Sequence, residues 1–303
     1  MALEDVQGDT SSCVMREVYL VLLELGQQHE QAALELLIPT LHRVFPRAIL
    51  RSAIVDNALI GECEIEIGRG IDRLSGDNTL REFSGWDRGI AWLERRYAPV
   101  PESIVVLAND TVVREDKRDR VRDIPADRVE AASRGALVGW VDEYPRPVEL
   151  FGLPLRQWVD TSLVLAEHRT LAALGPLARP FADGELFGDD WRRVFQEPSP
   201  LSENYRAYLK TYFFGERIDR EFEHAWYAQE PVTGGNFETF KDKLRCTFCE
   251  HLMSARARAR RIPLVDIRPQ PLAIDPFDAV AGSVSVRLSE IQPVAGRANS
   301  SSA

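Results

Sequence analysis

The sequence has no apolar run that approaches the roughly 20 residues needed for a helix to cross a bilayer. It also lacks the start of a secretory signal peptide, because its opening stretch M-A-L-E-D-V-Q-G-D-T is acidic and polar. These two absences predict a cytoplasmic protein.

Cysteine is scarce, with only Cys13, Cys63, Cys246 and Cys249 in the whole chain. Four scattered cysteines are too few for a disulfide scaffold. Cys246 and Cys249 form a C-x-x-C, but no second ligand pair accompanies them and the surrounding stretch is strongly helical. We therefore predict that both are buried helix residues rather than zinc ligands or a redox pair.

Several catalytic signatures are also missing. The five histidines have no H-x-x-x-H spacing, so we predict no zinc site. G-x-S-x-G, G-K-[ST] and a full G-x-G-x-x-G are absent, which counts against hydrolases, P-loop proteins and dinucleotide-binding proteins. Basic residues are outnumbered and the net charge is -10, so we expect no nucleic-acid partner, although local basic patches are still allowed.

Strand and helix patterns alternate in the first hundred residues. Glu17–Glu24 and Ala48–Val55 are rich in β-branched and aliphatic residues, which indicates strands. His29–Val44 lies between them with the i, i+3, i+4, i+7 apolar spacing of a helix. A weaker strand at Gly70–Ser75 and a helix at Phe83–Tyr97 follow. This order predicts an α/β fold that is Rossmann-like, with a mostly parallel sheet and helices on both faces.

The following part of the chain has weaker patterns. Glu62–Ile67 alternates acidic and apolar residues, and an edge strand and a turn of helix both remain open. Arg114–Arg134 carries nearly cancelling charges and is interpreted as a solvated loop with short helix. Two more strands are predicted at Ala136–Val141 and Gln157–Ala166, and a short helix at His168–Leu174.

The C-terminal third changes to long helical patterns, predicted over Asn204–Phe214 and Phe237–Arg261. Residues 268–303 contain proline early and end in A-N-S-S-S-A, with one short strand considered at Ser283–Leu288. We therefore expect four parts: a lead-in (1–14), an α/β domain (15–200), a helical C-terminal region (201–267) and a tail that is largely unstructured or loosely docked (268–303).

The stretch Ser103–Thr111, S-I-V-V-L-A-N-D-T, is the most informative in the chain. Its unbroken apolar run is typical of a strand buried on both faces. Ligands of such sheets bind at the carboxyl ends of the strands, so Asn109 and Asp110 would border a crevice. The alternative is that Asn-Asp only begins a turn.

Two earlier strands also end in polar pairs. The three exits, meaning the residues that follow each strand, are Asp56-Asn57, Asp77-Asn78 and Asn109-Asp110. Consecutive strands would bring them to one crevice, where carboxylates and amides could bind a base and ribose. Gly76–Ile90 adds Arg81 and Arg88 as phosphate ligands, and the glycines Gly85 and Gly89 allow close approach to a ligand or to the sheet. Trp86 is predicted to be a core residue.

This order of elements and motifs resembles the nucleotide-binding half of GT-A glycosyltransferases. More narrowly, it is similar to glycosyltransferases of bacterial rhamnan-synthesis and O-antigen clusters. The resemblance covers residues 17–175 and is carried by strands ending in V-D-N, G-D-N and L-A-N-D-T and by the helix segment F-S-G-W-D-R-G. In that family, N-D-S/T takes the place of D-x-D, and Asp87-Arg88-Gly89 fills the position of an N-x-G.

The resemblance implies a nucleotide-sugar donor. Donor-binding residues would be Asp56, Asn57, Asp77, Asn78, Arg81, Arg88, Asn109 and Asp110. Asp110 would face the diphosphate directly or through Mg²⁺ or Mn²⁺. One acid stands where D-x-D has two, and a hard cation prefers several oxygen ligands, so the metal stays an open alternative.

An inverting transfer needs a base for the acceptor hydroxyl. Gly188-Asp189-Asp190-Trp191 most resembles the acidic pair that opens a helix in these enzymes, so Asp189 and Asp190 are the catalytic candidates, with helix capping as the alternative. Asp160, next to Trp158, is a second candidate or a strand-edge residue. Asp183 and Glu185 are further acids in this region.

A basic cluster closes the last long helix, formed by Arg256, Arg258, Arg260 and Arg261. Its cations suit the helix macrodipole, and the alternative is peripheral contact with the anionic inner membrane, where lipid-linked acceptors lie. The prediction is hexosyl transfer from a nucleotide sugar to a bacterial polysaccharide or lipid-linked glycan. The alternatives are a non-catalytic scaffold that binds nucleotide sugar or glycan, and a phosphotransfer enzyme. The last predicts an acid at position 112, where valine stands.

Overall fold

The computed structural model describes residues 17–68, 70–216, 218 and 225–269, which belong to one compact unit. The predicted lead-in and the strand considered at Ser283–Leu288 lie outside these residues. The strands are β1 (Glu17–Glu24), β2 (Ile49–Asp56), β3 (Glu64–Gly68), β4 (Ile71–Ser75), β5 (Ile104–Asn109), β6 (Leu137–Leu150), β7 (Leu153–Glu167) and β8 (Leu264–Asp266). The α-helices are α1 (Glu30–Val44), α2 (Glu82–Tyr97), α3 (Glu115–Arg122), α4 (Ala126–Ala132), α5 (His168–Leu174), α6 (Asp183–Leu186), α7 (Glu203–Phe214) and α8 (Phe237–Ala259).

The described strands form one mixed sheet in the order β3-β4-β2-β1-β5-β7-β6-β8. Strands β4, β2, β1 and β5 run parallel, while β7 is antiparallel to both β5 and β6. The α/β prediction is confirmed. Glu62–Ile67, which the sequence left open, is mainly the edge strand β3, paired antiparallel with β4.

Each face of the sheet carries its own hydrophobic core, as expected for a sheet covered on both sides. Alternate residues of β1 separate the two cores: Tyr19, Val21 and Leu23 pack with α2 and α8, while Leu20 and Leu22 pack with α1. Because successive side chains of a strand point to opposite faces, a strand buried on both sides must be apolar throughout. This explains the continuous apolar run of β1, and β5 is buried over its whole length for the same reason.

The β6–β7 hairpin is much longer than the sequence predicted. Its two strands continue past the predicted ends at Val141 and Gln157 and meet at a two-residue turn, Phe151-Gly152, where both residues have positive φ (53° and 74°). Prolines on both strands hide this extension from sequence reasoning, because proline normally argues against a strand. A register shift between Glu143 and Val148 accommodates the prolines of β6.

The helical predictions agree with the structure, except that the Arg114–Arg134 segment holds two short helices, α3 and α4. Helices α7 and α8 share one hydrophobic core with the sheet. The prediction for Cys246 and Cys249 is confirmed, because both are buried in α8. Burial raises the pKa of the Cys249 thiol to about 12, so it stays protonated.

Candidate functional site

Parallel pairing brings the ends of β1, β2, β4 and β5 to one side of the sheet, which we call the carboxyl edge. Asp56 connects two of these ends, because its Oδ1 accepts hydrogen bonds of 2.9 Å from the backbone N–H groups of Gly26 and Ala58. Only 2% of Asp56 is exposed. Asp56 is one of the residues predicted to bind a nucleotide-sugar donor. One of its carboxylate oxygens is already occupied by hydrogen bonds to the backbone at the carboxyl edge.

The loop after β4 joins the same edge. The side-chain amide of Asn57 donates to Asn78 Oδ1 at 3.3 Å and to the carbonyl oxygen of Arg81 at 3.0 Å. The expected convergence of the exits after β2 and β4 is therefore observed. Gly76 is required for this approach, since a Cβ there would stand 1.8 Å from Asn57 Oδ1.

Backbone strain is concentrated in this loop. Asn78 has φ 53°, and Arg81, which precedes α2, has φ 48° and ψ -119°, a conformation that a residue with a Cβ rarely adopts. Such residues cost on the order of 1–3 kcal/mol and occur most often at functional sites. Asp77 is ordered too: burial alone would raise the pKa of its carboxyl, but hydrogen bonds from Thr79 and Ser84 outweigh that effect and lower it.

Helix α2 lies close to the sheet, and this explains its glycines without a ligand. A Cβ on Gly85 would stand 2.0 Å from Leu23, and one on Gly89 would stand 2.4 Å from Val21. Trp86 is fully buried and its indole N–H donates to the carbonyl oxygen of Ala108 at 3.1 Å, so the prediction of a core residue is confirmed.

The two polar residues of the D-R-G segment point to different partners. Asp87 accepts hydrogen bonds of 2.8 Å from the backbone N–H groups of Leu177 and Ala178, and burial raises the pKa of its carboxyl. Asp87 therefore fixes the loop after α5. Arg88 is exposed and donates to Ser75 Oγ at 3.1 Å, which keeps its guanidinium beside the end of β4.

The exit of β5 is fixed more firmly than the sequence suggested. The Asn109 side chain accepts a hydrogen bond from Thr111 N at the start of a short 3-10 turn, and its amide donates to the carbonyl oxygen of Thr161 at 3.1 Å. Asp110 is partly buried, which raises the pKa of its carboxyl, although His29 and the backbone N–H of Leu25 oppose the rise.

These contacts do not fit the metal that the resemblance allows at Asp110. The Asn109 side-chain oxygen already accepts from Thr111 and its amide nitrogen donates to Thr161, so Asp110 is the carboxylate that this exit offers. Among the residues that the structure describes, no group of three or more His, Cys, Asp or Glu side chains could hold a metal ion. A hard divalent cation prefers several oxygen ligands, so this donor set does not support a metal.

Glu24, at the end of β1, is an unexpected buried acid at the carboxyl edge. It is fully buried, and within the described residues neither of its carboxylate oxygens has a hydrogen-bond partner of normal geometry. Burial, contact with the Glu30 carboxylate and the charge of Asp56 raise its pKa to about 9. Arg73 keeps Glu30 charged by donating to it at 2.6 Å.

Replacing Glu24 with glutamine is expected to stabilise the protein at pH 8. In the unfolded chain Glu24 ionises above its ordinary pKa of 4.5, whereas the folded chain keeps the proton up to about pH 9, so stability falls as pH rises between these values. Glutamine removes this penalty, which a shift from 4.5 to about 9 puts at roughly 4–5 kcal/mol at pH 8. Urea unfolding at pH 5 and pH 8 measures it, with exposed Glu35→Gln as the control; an equal effect of both substitutions would contradict the prediction.

A cavity of about 620 Å³ lies between the β6–β7 hairpin and helices α7 and α8. Aromatic rings and ionisable groups from these four elements and from the segment before α8 line it: Asp142, Glu143, Tyr144, Arg156, Trp158, Asp160, Tyr208, Tyr212, Trp226, Lys243, Glu250 and His251. A cavity of this size with apolar rings and a few convergent polar groups is typical of a small-molecule site. We call it the hairpin cavity.

Glu250 is the most perturbed acid of the hairpin cavity. Burial, and then the charge of Asp160, raise its pKa to about 8. Both of its hydrogen bonds, from Thr161 N at 2.9 Å and Thr161 Oγ1 at 3.1 Å, reach Oε1. Among the described residues, Oε2 is therefore the oxygen left for a ligand.

Asp160 has a cation beside it. Lys117 of α3 lies 3.3 Å from both carboxylate oxygens, and Ser162 donates its backbone N–H at 2.7 Å. The two carboxyl groups therefore have different surroundings, and Glu250 is mostly protonated at neutral pH. Neighbouring carboxyl groups in unlike environments are common at acid–base sites of enzymes.

The hairpin cavity is continuous with the carboxyl edge through β7. Thr161 donates to Glu250 and accepts from Asn109, so one residue separates the cavity acid from the β5 exit. Thr111 Oγ1 donates to Ser162 Oγ at 3.3 Å, and Ser162 also contacts Lys117 and Asp160. The N-D-T segment and the acid pair therefore belong to one hydrogen-bond network.

His251 lies deep in the hairpin cavity and is neutral. The hydroxyl groups of Tyr144 and Tyr205 approach its Nδ1 at 2.8 and 2.5 Å. Burial raises the pKa of both tyrosines well above 10, so both hydroxyl groups stay protonated, and the single lone pair of Nδ1 accepts from one of them at a time. Burial lowers the pKa of His251 to about 3, and its proton is therefore assigned to Nε2.

Asp189 and Asp190, the predicted catalytic pair, do not line the hairpin cavity. Asp190 caps the short 3-10 helix Trp191–Arg193 by accepting from Arg192 N, and exposed Asp189 pairs with Arg193 at 2.8 Å. The capping alternative thus describes this segment, with Asp190 rather than Asp189 as the cap. The local sequence of this segment correctly indicated the start of a helix, but it did not indicate which residues line the cavity.

Only some of the arginine side chains at the end of α8 are available for contact with a membrane. Arg256 is half-buried and donates to the carbonyl oxygen of Pro176, and Arg258 also has a partner. Arg261 is exposed. The membrane contact stays a prediction. Among the described helices, none combines the length and apolar character needed to cross a bilayer.

Sequence reasoning missed Glu250 and His251. Their only local signal is a charged residue and a histidine inside an otherwise apolar helix segment, F-C-E-H-L-M. Burying two such polar side chains costs free energy unless each has a hydrogen-bond or charge partner. The pattern could therefore have indicated Glu250 and His251 as candidate site residues, although only the fold brings them next to β7.

Comparisons with known proteins do not assign the chain to a family. No protein-family model matches the chain, and no match is found among curated proteins. The functional interpretation therefore depends on the carboxyl edge, the hairpin cavity and the network that joins them.

Proposed function

We propose that the protein transfers a glycosyl group from a nucleotide-sugar donor to a saccharide acceptor of a bacterial polysaccharide or lipid-linked glycan, on a GT-A-like fold. The observation that carries this proposal is the continuity of two sites. Polar exits of neighbouring strands converge at the carboxyl edge, and the exit of β5 leads directly into a cavity lined with aromatic rings and paired carboxyl groups.

The dimensions of the edge suit an extended donor. From β2 to β7 there are three strand spacings, so the Asp56-Asn57 exit and the Asp160 segment lie roughly 14 Å apart. A nucleoside diphosphate sugar has a comparable length. In this arrangement the base and ribose lie near Asn57, Asp77 and Asn78, and the sugar lies at the β5 exit.

The charge on the donor's diphosphate needs positive partners. Arg81 and Arg88 are exposed and flank the loop after β4, and a guanidinium can bind phosphate oxygens through two hydrogen bonds. We assign the phosphate contacts to these arginines. Asp110 then contributes by holding the N–H of Leu25 at the end of β1, and no step depends on a metal.

The second candidate is a scaffold that binds a nucleotide sugar or glycan without turnover. The observation that favours it is the isolated Asp110 carboxylate, since related chemistry often uses two acids and a metal. The two candidates predict the same binding but differ in catalysis.

Thermal-shift measurements with UDP-, GDP- and dTDP-sugars, with and without Mn²⁺, test the proposal. We expect one nucleotide class to raise the melting temperature by several degrees, and Arg81→Ala to weaken its binding at least tenfold by removing a phosphate contact. Arg95→Ala is the matched control, because Arg95 is exposed near the other end of α2, away from the loop that carries Arg81.

Turnover separates the candidates. Release of nucleoside diphosphate from the donor that binds supports the transferase, and binding with no release supports the scaffold. Absence of binding by every nucleotide sugar would contradict both. A shift that requires Mn²⁺ and is lost in Asp110→Ala would contradict the assignment of the diphosphate to arginines.

A further inference from the structure

We propose that the hairpin cavity is the acceptor site for an uncharged saccharide and that Glu250 is the catalytic residue that takes the proton from the acceptor hydroxyl. This inference rests on the proposed glycosyl transfer and names the substrate class and the base of that reaction. It replaces Asp189 and Asp190 in the catalytic role.

The aromatic rings of the cavity suit a sugar ring. Tyr208 and Tyr212 are stacked with their ring planes 13° apart, and Trp158 meets Tyr208 edge-on with centroids 5.9 Å apart. Trp226 is half-buried at the cavity wall. Aromatic faces bind the apolar C–H face of a sugar while nearby polar groups bind its hydroxyls, and rigid rings lose little conformational entropy on binding.

The charges of the cavity favour an uncharged ligand over an anionic one. The cavity is lined by Asp142, Glu143 and Asp160 against the cations Arg156 and Lys243, and Arg156 is paired with Glu143 at 2.8 Å. Because the acids outnumber the cations, the lining has little net positive charge for a carboxylate ligand. A uronic acid would bring its charge next to acids in a partly dry site, which costs more than in water.

Glu250 is positioned to act on a ligand in this cavity. Thr161 fixes its Oε1 through two hydrogen bonds, and Oε2 has no protein partner among the described residues. The same Thr161 accepts from Asn109 at the β5 exit, so a donor sugar at that exit would lie about one residue from Glu250. A general base must reach the proton that it removes, and this arrangement brings donor and acceptor to one carboxyl group.

The surroundings also give Glu250 a suitable basicity. Its pKa of about 8 lies near physiological pH, where a general base is most effective. The groups that act on its charge come from every element around it: Glu82 of α2, Tyr144 of β6, Asp160 of β7, Tyr208 and Tyr212 of α7, and Lys243 of α8. Of these, Asp160 has the largest effect after burial.

The step is a single displacement. The acceptor O–H bond breaks and its proton moves to Glu250 Oε2, while the acceptor oxygen forms a bond to the anomeric carbon of the donor. The bond from that carbon to the diphosphate oxygen breaks, and the nucleoside diphosphate leaves with the electron pair. Protonated Glu250 later returns the proton to water, so no further reactant is needed.

The central experiment compares wild type with Glu250→Gln. Glutamine keeps the shape and can accept the Thr161 hydrogen bonds, but it cannot take a proton. We expect donor-induced thermal shifts to be unchanged and transfer to fall at least 100-fold. In wild type, kcat/KM should rise with pH through an inflection near pH 8. Glu238→Gln, exposed on the same helix, is the control and should keep wild-type turnover.

The outcomes separate this inference from the proposed function. If wild type turns over a nucleotide sugar and Glu250→Gln does so at the same rate, the inference is wrong and the transferase stands. If Glu250→Gln does not fold, the wild-type pH profile decides, and a flat profile between pH 6 and pH 9 would overturn the role of Glu250.

Direct binding provides a readout that does not need turnover. Methyl glycosides of glucose, galactose, mannose and rhamnose are titrated while tryptophan fluorescence is recorded, with glucuronic acid as the anionic probe. We expect at least one neutral glycoside to bind at least tenfold more tightly than glucuronic acid, and Trp226→Ala to abolish its binding. Preferential binding of glucuronic acid, or no binding of any glycoside, would overturn the acceptor site.

Discussion

Acidification from pH 7 to pH 5 is expected to remove about 2 kcal/mol of folding free energy through His251 alone, and about 4 kcal/mol by pH 3. Burial lowers the pKa of His251 from its ordinary 6.5 to about 3. Below pH 6.5 the His251 imidazole is protonated in the unfolded chain but stays neutral in the folded chain. The free energy of unfolding therefore decreases as pH falls from 6.5 towards 3. Above pH 6.5 the histidine is neutral in both the folded and the unfolded chain, so His251 no longer lowers the free energy of unfolding.

The measurement is the difference between wild type and His251→Asn in urea unfolding across this pH range. Asparagine offers an Oδ1 that can accept from Tyr144 and Tyr205, but it does not titrate. Glu24 and Glu250 have raised pKa values and change stability in the opposite direction, but they are present in both proteins and largely cancel in the difference. A difference that does not shrink by at least 1 kcal/mol between pH 7 and pH 5 would contradict the neutral, buried histidine.

Replacing Gly89 with alanine is expected to lower the free energy of unfolding by about 2–3 kcal/mol. The added Cβ would stand 2.4 Å from Val21 Cγ1 and 3.2 Å from Val55 Cγ2. Both valines are fully buried in the sheet, and β-branched side chains have one strongly preferred rotamer, so neither can move aside cheaply. Helix α2 must then shift, and with it the strained loop that carries Arg81.

The matched control is Gly184→Ala in α6, where a Cβ meets no atom within 4 Å. Alanine there is expected to be neutral or slightly stabilising, because glycine costs roughly 1 kcal/mol in a helix relative to alanine. Donor binding should weaken in Gly89→Ala and not in Gly184→Ala. Equal stability of the two variants would show that α2 tolerates displacement from the sheet.

These predictions and the proposed chemistry have a common structural basis. The β6–β7 hairpin extends beyond the carboxyl edge, and α8 packs against it with its acid and histidine facing the extension. Glycines hold α2 against β1 on the same face of the sheet, which fixes the loop at the other end of the edge. The sheet, not the loops, therefore sets the distance between the carboxyl edge and the hairpin cavity.

The sequence by itself determined the α/β character, most strand and helix positions and the polar exits. The reason is local: a strand buried on both faces must be apolar throughout, as β1 and β5 are, and an amphipathic helix must repeat its apolar residues at helical spacing. Asn57 and Asn78 lie just beyond two such strands, so the convergence of these two exits could be predicted from parallel order alone.

Only the tertiary structure decided where the candidate chemistry lies. Glu250 and Asp160 are 90 positions apart in the chain, and the raised pKa of Glu250 arises from burial and from the charge of Asp160, which no local pattern encodes. The acidic pair Asp189-Asp190 had the stronger local signal, yet Asp190 caps a short surface helix and Asp189 pairs with Arg193. Sequence patterns report what a segment must bury, whereas a reactive carboxyl group depends on which distant segments share its solvent-excluded space.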